Sequence, residues 1–365
     1  MKIEINKDLF LEKINLASKF ASNKLSSSTS LQGVFLKGEK KQIHFYSTNL
    51  NYYYHSFLNT EENHQFEIVI EPKKISEFLS LLSSGKIEVE FKEKSVIISQ
   101  GKTKGEFSLF SPDEFPLPPR STSEKQKIQT SFLKETLPLL LFSASTDETR
   151  PVLTGINFVA RESTNQIVAT DGFRLSLLNL KKETPFSSMI VPSGFLFEMS
   201  RLIRDEKEVL FNFQEEEKLL TFYLGDNEIS TRLIEGDYPP YEKVIPVEKK
   251  TSIVLDKGEF LRNVRLVSVF ARDFSNIIIL DVGRDGIKLS PKTGGSDTNV
   301  AYQESKVDGE EIRIAFNFKF VIDFLNNVPS EKIIIELLRP NSPAAFKGEK
   351  NEDFLHIIMP VRIQE

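Results

Sequence analysis

One pattern in this chain constrains its fold more than any other: it states nearly the same thing three times. Ile3-Glu4-Ile5-Asn6-Lys7, followed by Phe10, Leu11, Ile14, Ala17 and Phe20, returns without a gap as Ile253-Val254-Leu255-Asp256-Lys257, followed by Phe260, Leu261, Val264, Val267 and Phe270. A looser copy runs from Ile128 through Phe132, Leu133, Leu137 and Leu140 to Ala144. A second landmark repeats as well. Ile70-Glu71-Pro72 precedes Ile75, Phe78 and Leu79; Val191-Pro192 precedes Phe195, Leu196 and Met199; Phe316-Asn317 precedes Phe320, Val321, Phe324 and Leu325. Self-similarity at a fixed period means copies of one structural unit, and a period of about 120 residues is far longer than a solenoid repeat. Each copy is therefore a domain. The 365 residues read as three of them, 1–120, 121–249 and 250–365.

Within each third the order of elements is the same: strand, amphipathic helix, strands, second helix, more strands. In the first, Lys2–Ile5 alternates with the period of a strand and Leu9–Ala21 has helical spacing. Short strand-like runs follow at Val34–Leu36, Ile43–Ser47 and Phe66–Ile70, and later at Ile87–Phe91, Val96–Ser99 and Glu106–Phe110. Between these groups Pro72 stands where a helix starts and Gly85 where it ends. Proline-rich stretches, Ser111–Pro119 and Asp237–Tyr241 with Pro246, close the first two thirds. Two helices and roughly eight short strands per third make an α+β unit whose helices cover one face of a sheet. Six such helices on one side of a continuous sheet form a curved shell.

Composition narrows the function classes. A hydrophobic fraction of 39% with 30 Phe supplies real cores. The balance of 47 basic and 52 acidic residues is spread over all three thirds, so no third is a basic nucleic-acid module held by a clustered positive surface. Cysteine is absent, which excludes disulfides, thiolate metal sites and cysteine nucleophiles and fits a reducing, cytoplasmic setting. No apolar run approaches the length of a transmembrane helix, and the N-terminus lacks the apolar core of a signal peptide. The four histidines have no metal-ligand spacing, and there is no Walker A run or nucleophile elbow. Gly294-Gly295 reads as a loop, and Asp281-Val282-Gly283-Arg284-Asp285-Gly286 as a hairpin turn rather than a calcium loop. The expectation is a non-catalytic protein with no cofactor and no metal.

Three strings carry more specific information. Asp147-Glu148-Thr149-Arg150-Pro151-Val152-Leu153-Thr154-Gly155 comes first. Next is Ala169-Thr170-Asp171-Gly172-Phe173-Arg174-Leu175, expected to be a hairpin with Asp-Gly as a type I′ turn. The chain then closes on Met359-Pro360-Val361-Arg362. In this order, with Glu235–Tyr241 between them and the threefold repeat around them, they resemble the bacterial sliding clamp, the beta subunit of DNA polymerase III, over the full length.

That resemblance implies three clamp domains per chain, with outer antiparallel sheets and inner helices, and two chains joined head to tail as a homodimeric ring around double-stranded DNA. It implies an interface of Phe107 and Leu109 on one copy against Val269 and Phe270 on the other, a heterologous contact that closes after two copies. It further implies a peptide pocket. One wall is Leu153, Thr170, Gly172, Phe173, Arg174 and Leu175; Pro239, Lys243 and Val244 lie below; Asn317, Phe320, Pro343, Ile357, Met359 and Val361 extend it. Such an apolar groove suits an extended peptide with apolar residues near its end, and Met359 lets several partners share it. The implied partners are the polymerase III alpha subunit, the clamp loader delta subunit, and other polymerases and repair proteins with clamp-binding motifs, with no membrane. Phe173 stands where many relatives carry His, Lys243 where many carry Arg, and Phe320 where Tyr is common; all three make the pocket more apolar.

Arg262, Arg265 and Arg272 fall within one arc of the third domain's first helix, Arg201 and Arg204 share a helical face, and Lys73-Lys74 open a helix in the first domain. On the clamp reading these line the hole with Arg150 and with Lys24 of the Ser22–Ser30 loop, touching phosphates without reading bases. The alternatives from other classes are a monomeric clamp-like scaffold that binds peptides and encircles nothing, and an enzyme whose site has no recognisable motif.

Overall fold

A computed structural model describes residues 1–365 apart from 24–27, 113–114, 119–123, 163, 181–186, 273–274, 293–297 and 364–365. Lys24, expected to face DNA, and the Gly294-Gly295 loop lie outside the described residues.

The first third holds β1 (Lys2–Asn6), α1 (Lys7–Ser18), the single turn α2 (Thr29–Gln32), β2 (Val34–Thr48), β3 (Tyr52–Ile70), α3 (Pro72–Leu81), β4 (Lys86–Phe91), β5 (Ser95–Gln100) and β6 (Thr103–Phe110). The second holds β7 (Gln126–Gln129), α4 (Thr130–Leu141), β8 (Gly155–Ala160), β9 (Asn165–Thr170), β10 (Arg174–Leu180), β11 (Met189–Pro192), α5 (Ser193–Leu202), β12 (Glu208–Gln214), β13 (Leu219–Leu224) and β14 (Asn227–Arg232). The third holds β15 (Thr251–Asp256), α6 (Lys257–Ala271), β16 (Ile277–Val282), β17 (Gly286–Pro291), β18 (Ala301–Glu304), β19 (Lys306–Gly309), β20 (Ile312–Asn317), α7 (Phe318–Asn327), β21 (Lys332–Leu337), β22 (Ala344–Gly348) and β23 (Asn351–Ile358). No helix among the described residues is long and apolar enough to cross a membrane.

The repeat is physical as well as textual. In β1 the alternation buries Ile3 and Ile5 and exposes Lys2, Glu4 and Asn6. Asn6 then caps α1, its side chain accepting from the backbone N–H groups of Asp8 and Leu9 at 2.9 and 3.0 Å. Asp256 caps α6 in the same way, accepting from Glu259 N at 2.8 Å. The first residue of each leading helix donates its N–H to the loop after the second helix of that third: Lys7 to Gly85 O, Thr130 to Lys207 O and Lys257 to Glu331 O, at 2.8, 3.0 and 2.9 Å. The apolar stripe of α1 (Phe10, Ile14, Ala17) and Phe20 beyond it are buried, with Phe10 edge-on to Phe45 at 5.7 Å and Phe20 stacked on Tyr54 at 5.3 Å. Burying one such ring contributes about 1.5–3 kcal/mol.

Two readings of the sequence need correction. The runs Val34–Leu36, Ile43–Ser47 and Phe66–Ile70 are not separate short strands but parts of one long hairpin, β2 against β3, so the first third has six strands among the described residues. The ladder continues through Glu39–Lys41, whose side chains face solvent, and a register shift at Lys40/Gln42 with Lys40 at φ +55° absorbs the irregularity. Periodicity alone loses a strand wherever neither face is buried. The second correction is to the sheet, which is not continuous: the described strands form three sheets.

The chain packs as two compact units. One comprises 1–130 and 201–233 and contains the ten-stranded sheet β1-β4-β5-β6-β3-β14-β13-β12-β7, with β2 also on β3. Here β14 joins β3, Glu228 opposite His55 and Thr231 opposite Tyr52. The other comprises 131–200 and 234–365, with the nine-stranded sheet β11-β8-β9-β10-β23-β22-β21-β15-β19 and the four-stranded sheet β18-β17-β16-β20. In this unit β10 joins β23, Arg174 opposite Ile358 and Leu178 opposite Phe354.

Candidate peptide groove and exposed basic helices

The groove residues gather at the β10–β23 junction. Between β9 and β10 the chain turns through Asp171, Gly172 and Phe173. Only Gly172, at φ +93°, is left-handed, so this is not the type I′ turn expected from Asp-Gly. Asp171 keeps an ordinary backbone and uses its side chain instead: Oδ1 accepts from Phe173 N at 2.8 Å and Arg174 N at 3.0 Å. Thr170 Oγ1 donates to Arg174 O at 2.5 Å and accepts from Gly172 N at 3.0 Å. The turn is thereby closed from both sides, and it presents Phe173 with 59% of its surface exposed.

The C-terminal segment is threaded beside this turn. Met359 N donates to Phe173 O and Val361 N to Ala315 O, each at 2.8 Å. Met359, Val361 and Pro343 are half-buried, and Pro343 leads into Ala344, which pairs with Ile358. Tyr238 OH accepts from Thr170 N at 3.0 Å and so draws the Tyr238–Val244 segment to the same place, with Pro239 and Lys243 exposed. Burial pushes the Tyr238 hydroxyl up and keeps it neutral. Leu175 and Ile357 belong to a buried cluster with Val168, Leu177, Tyr241 and Ala345, against which Val244 packs. Leu153 is buried too, its carbonyl accepting from Ser145 N at 2.9 Å. These four apolar residues form the groove's support rather than its open surface. Asn317 is spent as the N-cap of α7, accepting from Lys319 N at 3.0 Å.

Arg174 is the centre of the arrangement. Its side chain is only 11% exposed, with Nε 3.1 Å from Asp171 Oδ2 and Nη1 2.5 Å from Asp323 Oδ2. The guanidinium carbon lies over the rings of Phe320 at 4.6 Å and Phe142 at 5.5 Å, so Arg174 is held by two carboxylates and by two cation–π contacts. Sequence reasoning found Arg174 and Phe320 but missed Asp323 and Phe142. Asp323 sits three residues after Phe320, one helical turn on the same face of α7, which is the signal that could have found it.

Below the groove a buried polar chain links three segments. His356 Nδ1 is 3.0 Å from Ser176 Oγ, which is 2.8 Å from Ser143 Oγ. The His356 ring is fully buried, stacked on Phe324 at 5.3 Å. Burial, with the Arg174 charge adding to it, pulls its pKa down to about 3, so it is neutral.

The expected interface residues stand at two surfaces. Phe107 and Leu109 lie half-buried on β6, where Phe107 meets Phe78 edge-on at 5.4 Å. One side of β6 pairs with β5; on the other only Leu109 and Phe110 pair with β3, and Thr103–Ser108 has no strand partner among the described residues. Val269 and Phe270 are exposed on α6, together with Leu266, which sequence reading passed over.

Of the basic residues, Arg262, Arg265 and Arg272 are all exposed on or just past α6, with Arg265 Nη2 3.1 Å from Asn326 Oδ1. Lys73 and Lys74 are exposed at the start of α3, Lys74 pairing with Glu71 at 2.9 Å. Arg201 and Arg204 are exposed at the end of α5 and just beyond it, Arg204 pairing with Glu12. Arg150 is placed differently. It pairs with Asp147 at 3.4 Å and its Nη1 lies 3.4 Å from where a Cβ of Gly172 would stand, so it borders the groove's turn rather than a helix face.

Models of three domains of the DNA polymerase III beta subunit match the chain: N-terminal at 1–119, central at 127–240 and C-terminal at 242–362. The beta sliding clamp of Halalkalibacterium halodurans is 30% identical over 382 residues, covering 99% of this chain and 100% of its own. That of Bacillus subtilis is 26% identical, with 99% and 100% covered. The crystal structure of the Bacillus subtilis DNA polymerase sliding clamp superposes with a TM-score of 0.88 at 26% identity, covering 100% of both chains. The Thermotoga maritima DNA polymerase III beta subunit, at 24% identity, shares the fold with a TM-score of 0.89 over 100% of both.

Proposed function

The chain belongs to the DNA polymerase III beta-subunit family, the bacterial sliding clamps, and we propose that two copies close head to tail into a ring around duplex DNA in the cytoplasm. It is a non-catalytic processivity factor of DNA replication. What supports the family reading most is a single observation: three beta-subunit domain models match in succession over almost the whole chain. We take the domains as 1–120, 121–249 and 250–365.

The physics of sliding fits these residues. A protein that grips phosphates tightly stalls; one that touches them with a few exchangeable cations, and is kept on by topology, moves. Exposed Arg262, Arg265, Arg272, Arg201, Lys73 and Lys74 supply such contacts, and the net charge of −5 keeps the overall attraction weak. Partners then dock in the groove around Phe173, Phe320 and Met359. A polymerase tethered there meets its primer end at high effective concentration without holding DNA tightly itself. The polymerase III alpha subunit, the clamp loader delta subunit and other polymerases or repair proteins with apolar-ended motifs are the proposed occupants.

The protein, loaded onto circular plasmid by an ATP-driven loader, is expected to stay on through gel filtration and to be lost when the plasmid is linearised. Equal loss from both forms rules out encirclement. For the groove, Arg174→Ala combined with Met359→Ala is expected to weaken binding of an apolar-ended peptide by about 100-fold or more while the oligomer persists. Unchanged affinity in a peptide titration discredits the groove.

A further inference from the structure

The four histidines show no metal-ligand spacing in the sequence, but two of them meet in the fold. His64 and His356 are buried, with 7% and 0% of their surface exposed. His44 on β2 and His55 on β3 are half-buried, and His44 Nδ1 lies 3.0 Å from His55 Nε2. Their ring planes differ by only 21°, so the two nitrogens face each other and share one proton, carried by either ring. Neighbouring rings hold the pair: Tyr46 stacks on His55 at 4.5 Å, and Phe57, opposite His44 in the ladder, stands 6.3 Å from it. On β14, Glu228 is in register with His55 and puts Oε2 3.6 Å from Nδ1, the nitrogen turned away from His44. A carboxylate there favours the tautomer protonated on Nδ1, which leaves Nε2 as a lone pair aimed at His44. The nearby Lys37 cation is matched by Glu39 and Glu67 at 3.8 and 3.1 Å and does not set the sign of the local charge.

We propose that His44 and His55 bind one late first-row divalent cation, which takes the place of the shared proton, while Glu228 orients His55 from behind. Imidazole nitrogens suit nickel, copper and zinc. For metal–nitrogen bonds of about 2.0–2.1 Å, two nitrogens 3.0 Å apart subtend roughly 90–97° at the metal. That is the angle between neighbouring ligands of a square-planar or octahedral shell rather than a tetrahedral one, which points to Ni²⁺ or Cu²⁺. Each ring has to turn a little about its Cβ–Cγ bond to aim at a common point, and partial exposure gives both the room to do so. Among the described residues no group of three or more His, Asp or Glu is placed to hold a metal together, so water completes the shell. The bound metal clips β2 to β3 beside the strand that β14 joins, and the site shares no residue with the peptide groove.

The test is calorimetric titration of the full-length, untagged protein with nickel chloride, alone and in the presence of magnesium chloride. Wild type is expected to take up one Ni²⁺ per chain, unaffected by Mg²⁺, which prefers oxygen ligands. His44→Gln and His55→Gln should each weaken Ni²⁺ binding at least about tenfold, and Glu228→Gln by about tenfold, the effect of removing the partner that orients a metal-binding histidine. Unchanged affinity in both histidine variants overturns the proposal, as does displacement of Ni²⁺ by Mg²⁺. Circular dichroism checks that the variants are folded. Should either fail to fold, a wild-type crystal soaked in nickel chloride decides the matter: anomalous density between the two rings supports the site, and its absence overturns it.

Discussion

Phe107→Asp is expected to convert the protein from a dimer to a monomer of 41.7 kDa in sedimentation, with the dimer dissociation constant raised about 1000-fold or more. The reason lies in what surrounds Phe107. It sits on the part of β6 whose second edge has no strand partner among the described residues, and its ring is half-buried against Phe78. An unpaired edge backed by an aromatic ring is a template for another chain. The matching surface proposed on the second copy, Leu266, Val269 and Phe270 of α6, is 55%, 51% and 43% exposed, a cluster of large apolar side chains that a lone monomer gains nothing by exposing. A carboxylate placed between two such surfaces must be desolvated without a counter-charge, which costs several kcal/mol. Because Phe107 is not fully buried, the variant should keep its fold, visible as an unchanged circular dichroism spectrum. Val269→Asp should behave the same way from the other side. A variant that sediments as a dimer places the interface elsewhere.

Acid is expected to loosen the unit that carries the groove, and His356 is the cause. Its pKa falls to about 3 in the folded state because the ring is buried among Phe142, Phe324 and Phe346 with the Arg174 charge nearby; unfolded, it returns to about 6.5. A depressed folded pKa means the unfolded chain binds the extra proton first. The stabilising contribution is therefore complete above about pH 6.5 and is lost progressively as pH falls toward 3. In that window it changes by about 1.4 kcal/mol per pH unit, so moving from neutral to pH 5 removes about 2 kcal/mol. His356→Phe retains a flat ring among rings and leaves Ser143 and Ser176 bonded to each other at 2.8 Å. Urea unfolding at both pH values should show the loss on acidification reduced by about 2 kcal/mol in that variant. Equal losses in the two proteins show that His356 is not the group that titrates. His64 also sits low through burial and acts in the same direction, which is why the difference between the proteins, not the total, carries the test.

Much of this was legible in the chain before any fold was known. The caps of α1 and α6 are Asn6 and Asp256 in corresponding places of the repeat, and the apolar stripes of both helices could be drawn residue by residue. The groove's members were named through resemblance, and the structure brings Phe173, Arg174, Phe320 and Met359 to one junction. The failures share a cause. The β2–β3 hairpin was broken into pieces because Glu39–Lys41 is exposed throughout and so leaves no alternation to read. Asp171-Gly172 looked like a type I′ turn because the dipeptide suits one, but Asp171 had a competing use for its side chain. Arg150, expected to face DNA, stands beside Gly172, a placement the local sequence does not encode.

The sequence by itself determined the repeated unit, the starts of its helices and the face each one buries. Those features follow from caps and from periods of two and 3.6, interactions that act over a few residues. Only the tertiary structure decided that β14 extends the sheet of the first third through β3, that β10 and β23 meet, and that Arg174 finds Asp323. Strand register and ion pairing depend on groups that chain closure brings together from far apart. The local pattern around Arg174 offers Asp171 three residues before it, but nothing there says that an acid 149 residues away will meet the same guanidinium.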